Sequence, residues 1–156
     1  MLAQEKLKEV LSYDKDTGVW VWKAKTCCKV VPGKKAGSIN ADGYLVISIY
    51  GKDYYAHRLA FLYMLGEMPS MQVDHINLDK SDCRWENLRE ATHSQNKANT
   101  GLRPENKTGV IGVSINNKGK FVVRVGQRYV GIRNTLAEAK SLRQQAAKAA
   151  YGTFAR

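Results

Sequence analysis

The sequence predicts an α+β chain built in two parts. Three observations lead there. Short runs of β-branched and aromatic residues recur between turn-forming residues in both halves. Three helical patterns in the first hundred residues are separated by such runs. A fourth, alanine-rich helix closes the chain after three hairpin-spaced runs. At 156 residues there is room for one ordinary domain or two small ones.

Ala3 to Leu11 reads as a short amphipathic helix, with Leu2, Leu7, Val10 and Leu11 along one side. Tyr13 to Gly18 is turn chemistry, and Val19 to Lys23 is a strand rich in β-formers. Ala24 to Lys35 is polar, basic and irregular; it is either a phosphate-touching loop or a plain connection. Ala41-Asp42-Gly43 turns the chain into a strand over Tyr44 to Tyr50. Gly51-Lys52 turns it back into a second strand over Asp53 to Ala56. His57 to Leu65 carries a thick apolar face, and Gly66 with Pro69 marks the end of that helix. Residues 1–70 thus read as a small α+β body that can support the polar stretch after it.

Met71 to Ile76 is a short strand, Asn77 to Arg84 a loop, and Trp85 to Ala91 a tight turn with a second strand. Thr92 to Gln95 fits a capping box, with Thr92 as N-cap and Gln95 at the third helical position. That helix carries Asn96 and Asn99 one turn apart. After a polar link, Val110 to Ile115, Phe121 to Val125 and Tyr129 to Ile132 read as strands joined by hairpin-sized gaps. Thr135 and Glu138 form a second capping box. The helix from Leu136 to Tyr151 bears a small-residue stripe of Ala139, Leu142, Ala146, Ala149 and Ala150, and Gly152 ends it.

Charge divides the chain more sharply than hydropathy. Residues 1–96 hold thirteen Lys+Arg and twelve Asp+Glu; residues 97–156 hold twelve and two. So lopsided a block repels itself unless a polyanion covers it, and nucleic acid fits that role. A basic surface kept for solubility is the plain alternative. No apolar run approaches a membrane span, and the N-terminus lacks the apolar core of a signal peptide, so a cytoplasmic protein without membrane contact is expected. Cys27, Cys28 and Cys83 read as reduced thiols. Adjacent Cys27-Cys28 cannot supply a C-x-x-C knuckle, and no structural zinc is expected.

The residues that carry chemistry lie between Val73 and Asn99. Hydrolysing a phosphodiester at neutral pH needs a nucleophile, a neutralised phosphate and a stabilised leaving oxygen. Bound Mg²⁺ supplies the last two. It takes hard oxygen ligands, which Asp74 and an Asn amide provide. His75 is the side chain best poised to take a proton from water. Alternation along a strand points Asp74 and His75 to opposite faces, so a strand end or distortion is needed for both to serve one site.

Asp74-His75, Asn87 and, nine residues on, Asn96 resemble the signature of the HNH endonuclease family, in the H-N-N variety of phage and intron-encoded enzymes. Tyr55 to Phe61, Gly66 to Pro69 and Tyr13 to Trp22 also look like phage HNH proteins, so the resemblance spans residues 1–100. It implies a ββα-metal core over residues 71–100. In that core His75 activates the attacking water. Asp74 and Asn96 hold a divalent metal, Mg²⁺ first and Mn²⁺ as the alternative. Asn87 orients the loop or His75 rather than touching the metal. His93 rivals Asn96 for the third signature position; Asn96 is preferred because it falls within the predicted helix. His57 is either a packing or capping residue or a phosphate contact, and Arg58 and Lys97 are expected DNA contacts.

Gly112-Val113-Ser114, Gly119-Lys120-Phe121, Gly131 and the ending Ala149 to Ala155 resemble the APETALA2-like DNA-binding domain. That family reads the major groove with one sheet face. Phe121, Val123 and Val125 would then face the helix. Ser114, Asn116, Lys118, Lys120, Arg124 and Arg128 are the expected DNA contacts. The combined expectation is a nuclease part over 1–100, a link over 101–107 and a DNA-holding part over 108–156, acting on double-stranded DNA. A monomer would nick and a homodimer could cut both strands; the sequence leaves that open. The reading from a different class is a DNA-binding regulatory or accessory protein with a vestigial nuclease site.

Overall fold

The computed structural model describes residues 2–155. It is mixed α+β and divides into two compact units, Met1–Ala91 and Thr92–Arg156. The division falls earlier than the expected link. Residues 92–107 group with the second unit, where the helix after Ala91 meets the C-terminal turn Gly152–Phe154. Among the described residues no helix is long and apolar enough to cross a membrane.

The first unit opens with helix α1 (Gln4–Val10), which buries Leu7 and Val10. The helix ends one residue before the expected Leu11, because Leu11 is already extended and begins strand β1 (Leu11–Tyr13). β1 pairs antiparallel with β2 (Trp20–Trp22). A second sheet comes next, ordered β3 (Ser38–Ile39), β4 (Leu45–Ile49), β5 (Lys52–Tyr55). β1 and β3 were not foreseen; at two or three residues they are too short to show alternation. Helix α2 (Ala56–Leu65) takes Ala56 from the expected strand, with Tyr55 as its extended N-cap. It buries Leu59, Ala60, Phe61 and Leu62 against the sheets. Each large apolar side chain so buried contributes about 1.5–3 kcal/mol. The last elements of this unit are the antiparallel pair β6 (Gln72–His75) and β7 (Leu88–Ala91), with a tight helical turn Trp85–Asn87 leading into β7.

The N-terminal hairpin is packed onto the loop between β6 and β7. Tyr13 stacks on Trp20 with centroids 4.5 Å apart, and its hydroxyl donates to the Cys83 carbonyl at 2.6 Å. The Trp85 N–H donates to the Lys15 carbonyl at 2.9 Å. Phe61 of α2 meets Trp85, ring centroids 4.9 Å apart. Gly18 makes the closest approach: at φ +71° it lies where a Cβ would fall 2.6 Å from the Arg84 nitrogen. Burial pushes the Cys83 thiol up to about 12, with the Asp82 carboxylate adding to the effect. Cys27 and Cys28 are exposed and free.

The second unit begins with α3 (His93–Ala98), whose capping box is complete: the Thr92 hydroxyl accepts from the Gln95 N–H, and the Gln95 side chain accepts from the Thr92 N–H. Its sheet is antiparallel in the order β10 (Arg128–Arg133), β9 (Phe121–Val125), β8 (Val113–Ile115), with α4 (Leu136–Tyr151) packed on one face. β8 is shorter than the expected Val110 to Ile115. The Asn106 and Thr108 side chains tie down residues 106–110, and Gly112 turns at φ +73°. Thr135 caps α4 through the Glu138 N–H; the reciprocal half of the expected box is not among the hydrogen bonds formed. The stripe on α4 is corrected. Ala139, Arg143 and Ala147 are buried at i, i+4 spacing, with Leu142 packed beside them, whereas Ala149 and Ala150 are exposed.

A Cβ on Gly112 would fall 2.3 Å from the Arg124 carbonyl oxygen, and the Arg124 N–H donates to the Gly112 carbonyl at 2.7 Å. Gly112→Ala is therefore expected to destabilise the second unit by more than ~1 kcal/mol, the cost of a left-handed alanine before any clash. Amide exchange at Val123 and Val125 measures it; unchanged protection would contradict the expected β8–β9 junction.

Candidate functional site

β6 and β7 lie in the register Asp74 opposite Arg89 and His75 opposite Leu88. His75 is the last residue of β6. Beyond it the chain turns at once: the Leu78 N–H donates to the His75 carbonyl at 3.0 Å, and Leu78 takes a left-handed φ of +70°. A non-glycine residue held there is strained. The strand end that both Asp74 and His75 require is thus present.

Asn87 holds that end in place. Its side-chain oxygen accepts from the Asn77 N–H at 3.0 Å, and its side-chain nitrogen donates to the Asp82 carbonyl at 2.9 Å. Its own carbonyl accepts from the Ile76 N–H at 2.9 Å. One buried amide therefore fastens both ends of the 77–82 loop. Inside the loop, the Asp82 carboxylate takes the Arg84 guanidinium (Nη2 at 2.8 Å) and the Asn77 amide at 2.7 Å. The hydrogen bonds from Arg84 hold this carboxyl below its ordinary range. Asp79 accepts from the Ser81 hydroxyl and N–H, which lower it in the same way.

Asp74 and His75 meet different neighbours, as alternation requires. The buried Asp74 carboxylate receives Nε and Nη2 of Arg89, each at 2.8 Å from Oδ2. The His75 ring meets the His57 ring edge-on, centroids 4.9 Å apart, and lies 6.0 Å from Tyr44. His57 is stacked on Tyr55 at 5.4 Å and tilted against Tyr44 at 5.4 Å. Lys80 stands over the outer part of this cluster, its Nζ 4.8 Å from the Tyr44 centroid and bonded to the Asp42 carbonyl.

Burial sets the charge of both imidazoles. His57 is pushed down to about 3, by burial first and then by the neighbouring His75 and Arg58 side chains. His75 is also lowered by burial, with the Asp74 carboxylate pulling the other way. Both shifts favour the neutral ring. A neutral imidazole can accept a proton; an imidazolium cannot.

The first unit thus brings Asp74, His75, Asn87 and His57 together. Arg58 acts locally. Its guanidinium donates to the Pro69 carbonyl at 2.8 Å and the Met71 carbonyl at 3.1 Å, anchoring the segment that enters β6. In the second unit His93 is the exposed first residue of α3, Asn96 is half-buried and Lys97 is exposed. Ser114, Lys118, Lys120, Arg124 and Arg128 are exposed. Val123 and Val125 are buried and Phe121 half-buried on the helix side. Asn116 differs from the rest: its side-chain oxygen accepts from the Lys118 and Lys120 N–H groups and shapes the β8–β9 turn. Among the described residues no three His, Cys, Asp or Glu side chains form a group able to hold a metal.

Sequence reading passed over Arg89, Asp82, Tyr44, Tyr55 and Lys80. Pairing the two predicted strands from the loop outward would have put Asn87 opposite Asp74; the helical turn Trp85–Asn87 shifts the register by two and brings Arg89 there. Nothing local marks Tyr44, which reaches the site only through the fold. Asn87→Asp places an oxygen against the Asp82 carbonyl where a donor stood. It is expected to destabilise the first unit by about 1–3 kcal/mol, the cost of buried polar groups left unmatched. All three tryptophans lie in this unit, so tryptophan fluorescence in a urea titration reads it out; an unchanged midpoint would contradict the role given to Asn87.

The model of a protein family described as HNH endonuclease matches residues 54–98. The match begins in β5, runs through α2, β6 and β7, and ends with α3. It takes in His57, Asp74, His75, Asn87, His93 and Asn96, and covers under a third of the chain. No curated protein and no solved structure matches the chain. The matched segment supports a nuclease of the HNH type, a hydrolase acting on DNA.

Proposed function

We propose that the chain is a metal-dependent endonuclease of phage or homing type that hydrolyses phosphodiester bonds in double-stranded DNA. The observation that carries this reading is a buried imidazole at a strand end beside a carboxylate, inside the segment that matches the HNH endonuclease family. In this reading His75 takes the proton of the attacking water. His57 and Tyr44 fix the plane of the His75 ring by contact. Asn87 fixes the turn after His75 and so the height of the ring.

Asp74 offers a hard carboxylate oxygen, and Asn96, on α3, is the second oxygen donor that the sequence signature supplies. So small a protein donor set suits Mg²⁺, which keeps water and substrate phosphate in its shell; Mn²⁺ takes the same donors. When bound, the cation neutralises phosphate charge and stabilises the leaving oxygen. The second unit carries twelve Lys+Arg against two acids and supplies the hold on the DNA backbone. Arg124 on the exposed side of β9 and Lys120 just before that strand, with Lys97, Lys118 and Arg128, are its contacts. Affinity through such contacts falls steeply with salt.

One observation favours a second reading. The Arg89 guanidinium sits on the Asp74 carboxylate at 2.8 Å, where it competes with a cation. A DNA-binding regulatory or accessory protein with a vestigial nuclease site would keep such a pair. Incubating supercoiled phage or host DNA with the protein and Mg²⁺ separates the two. The enzyme reading expects nicked or linear product, lowered at least about a hundredfold in His75→Ala. Tight DNA binding with no cleavage by the wild type would establish the regulatory reading instead.

A further inference from the structure

We propose that the loop from Lys23 to Lys35 in the first unit is a separate contact for the phosphate backbone of duplex DNA. It rests on the reading that the chain acts on DNA and adds a binding surface outside the basic second unit. Between Asp16 and Asp42 the sequence has five lysines, at 23, 25, 29, 34 and 35, and no acidic residue. All five are exposed. Without them the first unit holds eight Lys+Arg against twelve Asp+Glu, so the loop is a cationic island on an anionic body.

The loop is ordered by its backbone. Lys35 bridges to Val21, the Trp22 N–H donates to the Lys34 carbonyl at 3.0 Å, and the Gly33 N–H donates to the Trp22 carbonyl at 2.7 Å. Val30 is buried and pins the middle of the loop to the core. Of the lysine side chains, only Lys23 is engaged, donating to the Lys8 carbonyl at 2.7 Å. Lys25, Lys29, Lys34 and Lys35 form no ion pair or side-chain hydrogen bond with the described residues. The unit's other cations are mostly engaged: Lys6 with Glu9, Arg84 with Asp82 and Glu86, Arg89 with Asp74, and Arg58 and Lys80 with carbonyls. An ordered loop bearing four unengaged, like-charged ammonium groups is arranged for an external anion with repeating charge. Duplex DNA, the substrate class already proposed, has that form.

The test measures duplex binding by the full chain across a salt series in EDTA, where cleavage does not interfere. The loop variant Lys25→Gln/Lys34→Gln is compared with Lys15→Gln/Lys52→Gln, which removes the same charge from exposed, unengaged lysines elsewhere in the unit. The loop variant is expected to make the slope of log affinity against log salt shallower by about 2, close to one counterion per lost phosphate contact. The control is expected to keep the wild-type slope. Equal slopes for the two variants, or a wild-type slope in the loop variant, would overturn the loop contact while leaving the nuclease reading intact. Failure of the wild type to bind duplex DNA at all would overturn both.

Discussion

The pair of hydrogen bonds from the Asn87 side chain to both ends of the 77–82 loop is the constraint on which the rest of the site depends. β6 must stop at His75 for that imidazole to stand at a strand end, and it stops because the loop is closed immediately after it. A buried side-chain amide with a donor and an acceptor aimed at two backbone groups does this with no charge to desolvate. The loop's own carboxylates are satisfied within the loop or by Arg84, so they do not compete for the space around His75. The N-terminal hairpin then presses on the same loop through Tyr13, Lys15 and Gly18. An element far away in sequence is thereby part of the positioning.

Charge placement separates chemistry from grip. The first unit is close to neutral overall, and its central residues are buried and held as a carboxylate paired with Arg89 and as uncharged imidazoles. A neutral imidazole is useful where it is shielded from solvent, and shielding is what lowers its proton affinity here. The same burial makes the site poor at attracting DNA. Exposed lysines and arginines, concentrated in the second unit and in one loop of the first, have the opposite character: solvated and long-ranged.

Much of this was legible in the sequence, for physical reasons that differ by element. The helix at His93 was announced by Thr92 and Gln95, because a capping box is made by residues three apart and needs no tertiary contact. The candidate residues Asp74, His75, Asn87 and Asn96 were legible from type and spacing. The Asp74–Arg89 pair was not, because it depends on a register fixed by a twelve-residue connection. The ring cluster of Tyr44, Tyr55, His57 and His75 was also invisible: it joins two sheets and a helix. Strand β1 hid inside a helical pattern, since Leu11 satisfies the apolar face of α1 and the core position of a strand equally well. On α4 the alanine stripe misled. Small residues tolerate burial without requiring it, and the long stem of Arg143 filled a place that composition alone would have given to an alanine.

The state of the His75 ring in the metal-free protein tests the account most directly. Long-range nitrogen–proton NMR spectra of the three histidine side chains, assigned with single His→Gln variants, report the protonation of each ring as the pH is lowered from neutral. Burial among Tyr44, His57 and the closed loop predicts that His75 remains neutral at pH 7 and titrates below the ordinary value of 6.5, with His57 lower still. A His75 midpoint above 6.5 would contradict the account. It would mean that the Asp74 carboxylate outweighs burial and that the site favours the imidazolium, the form that cannot serve as the base.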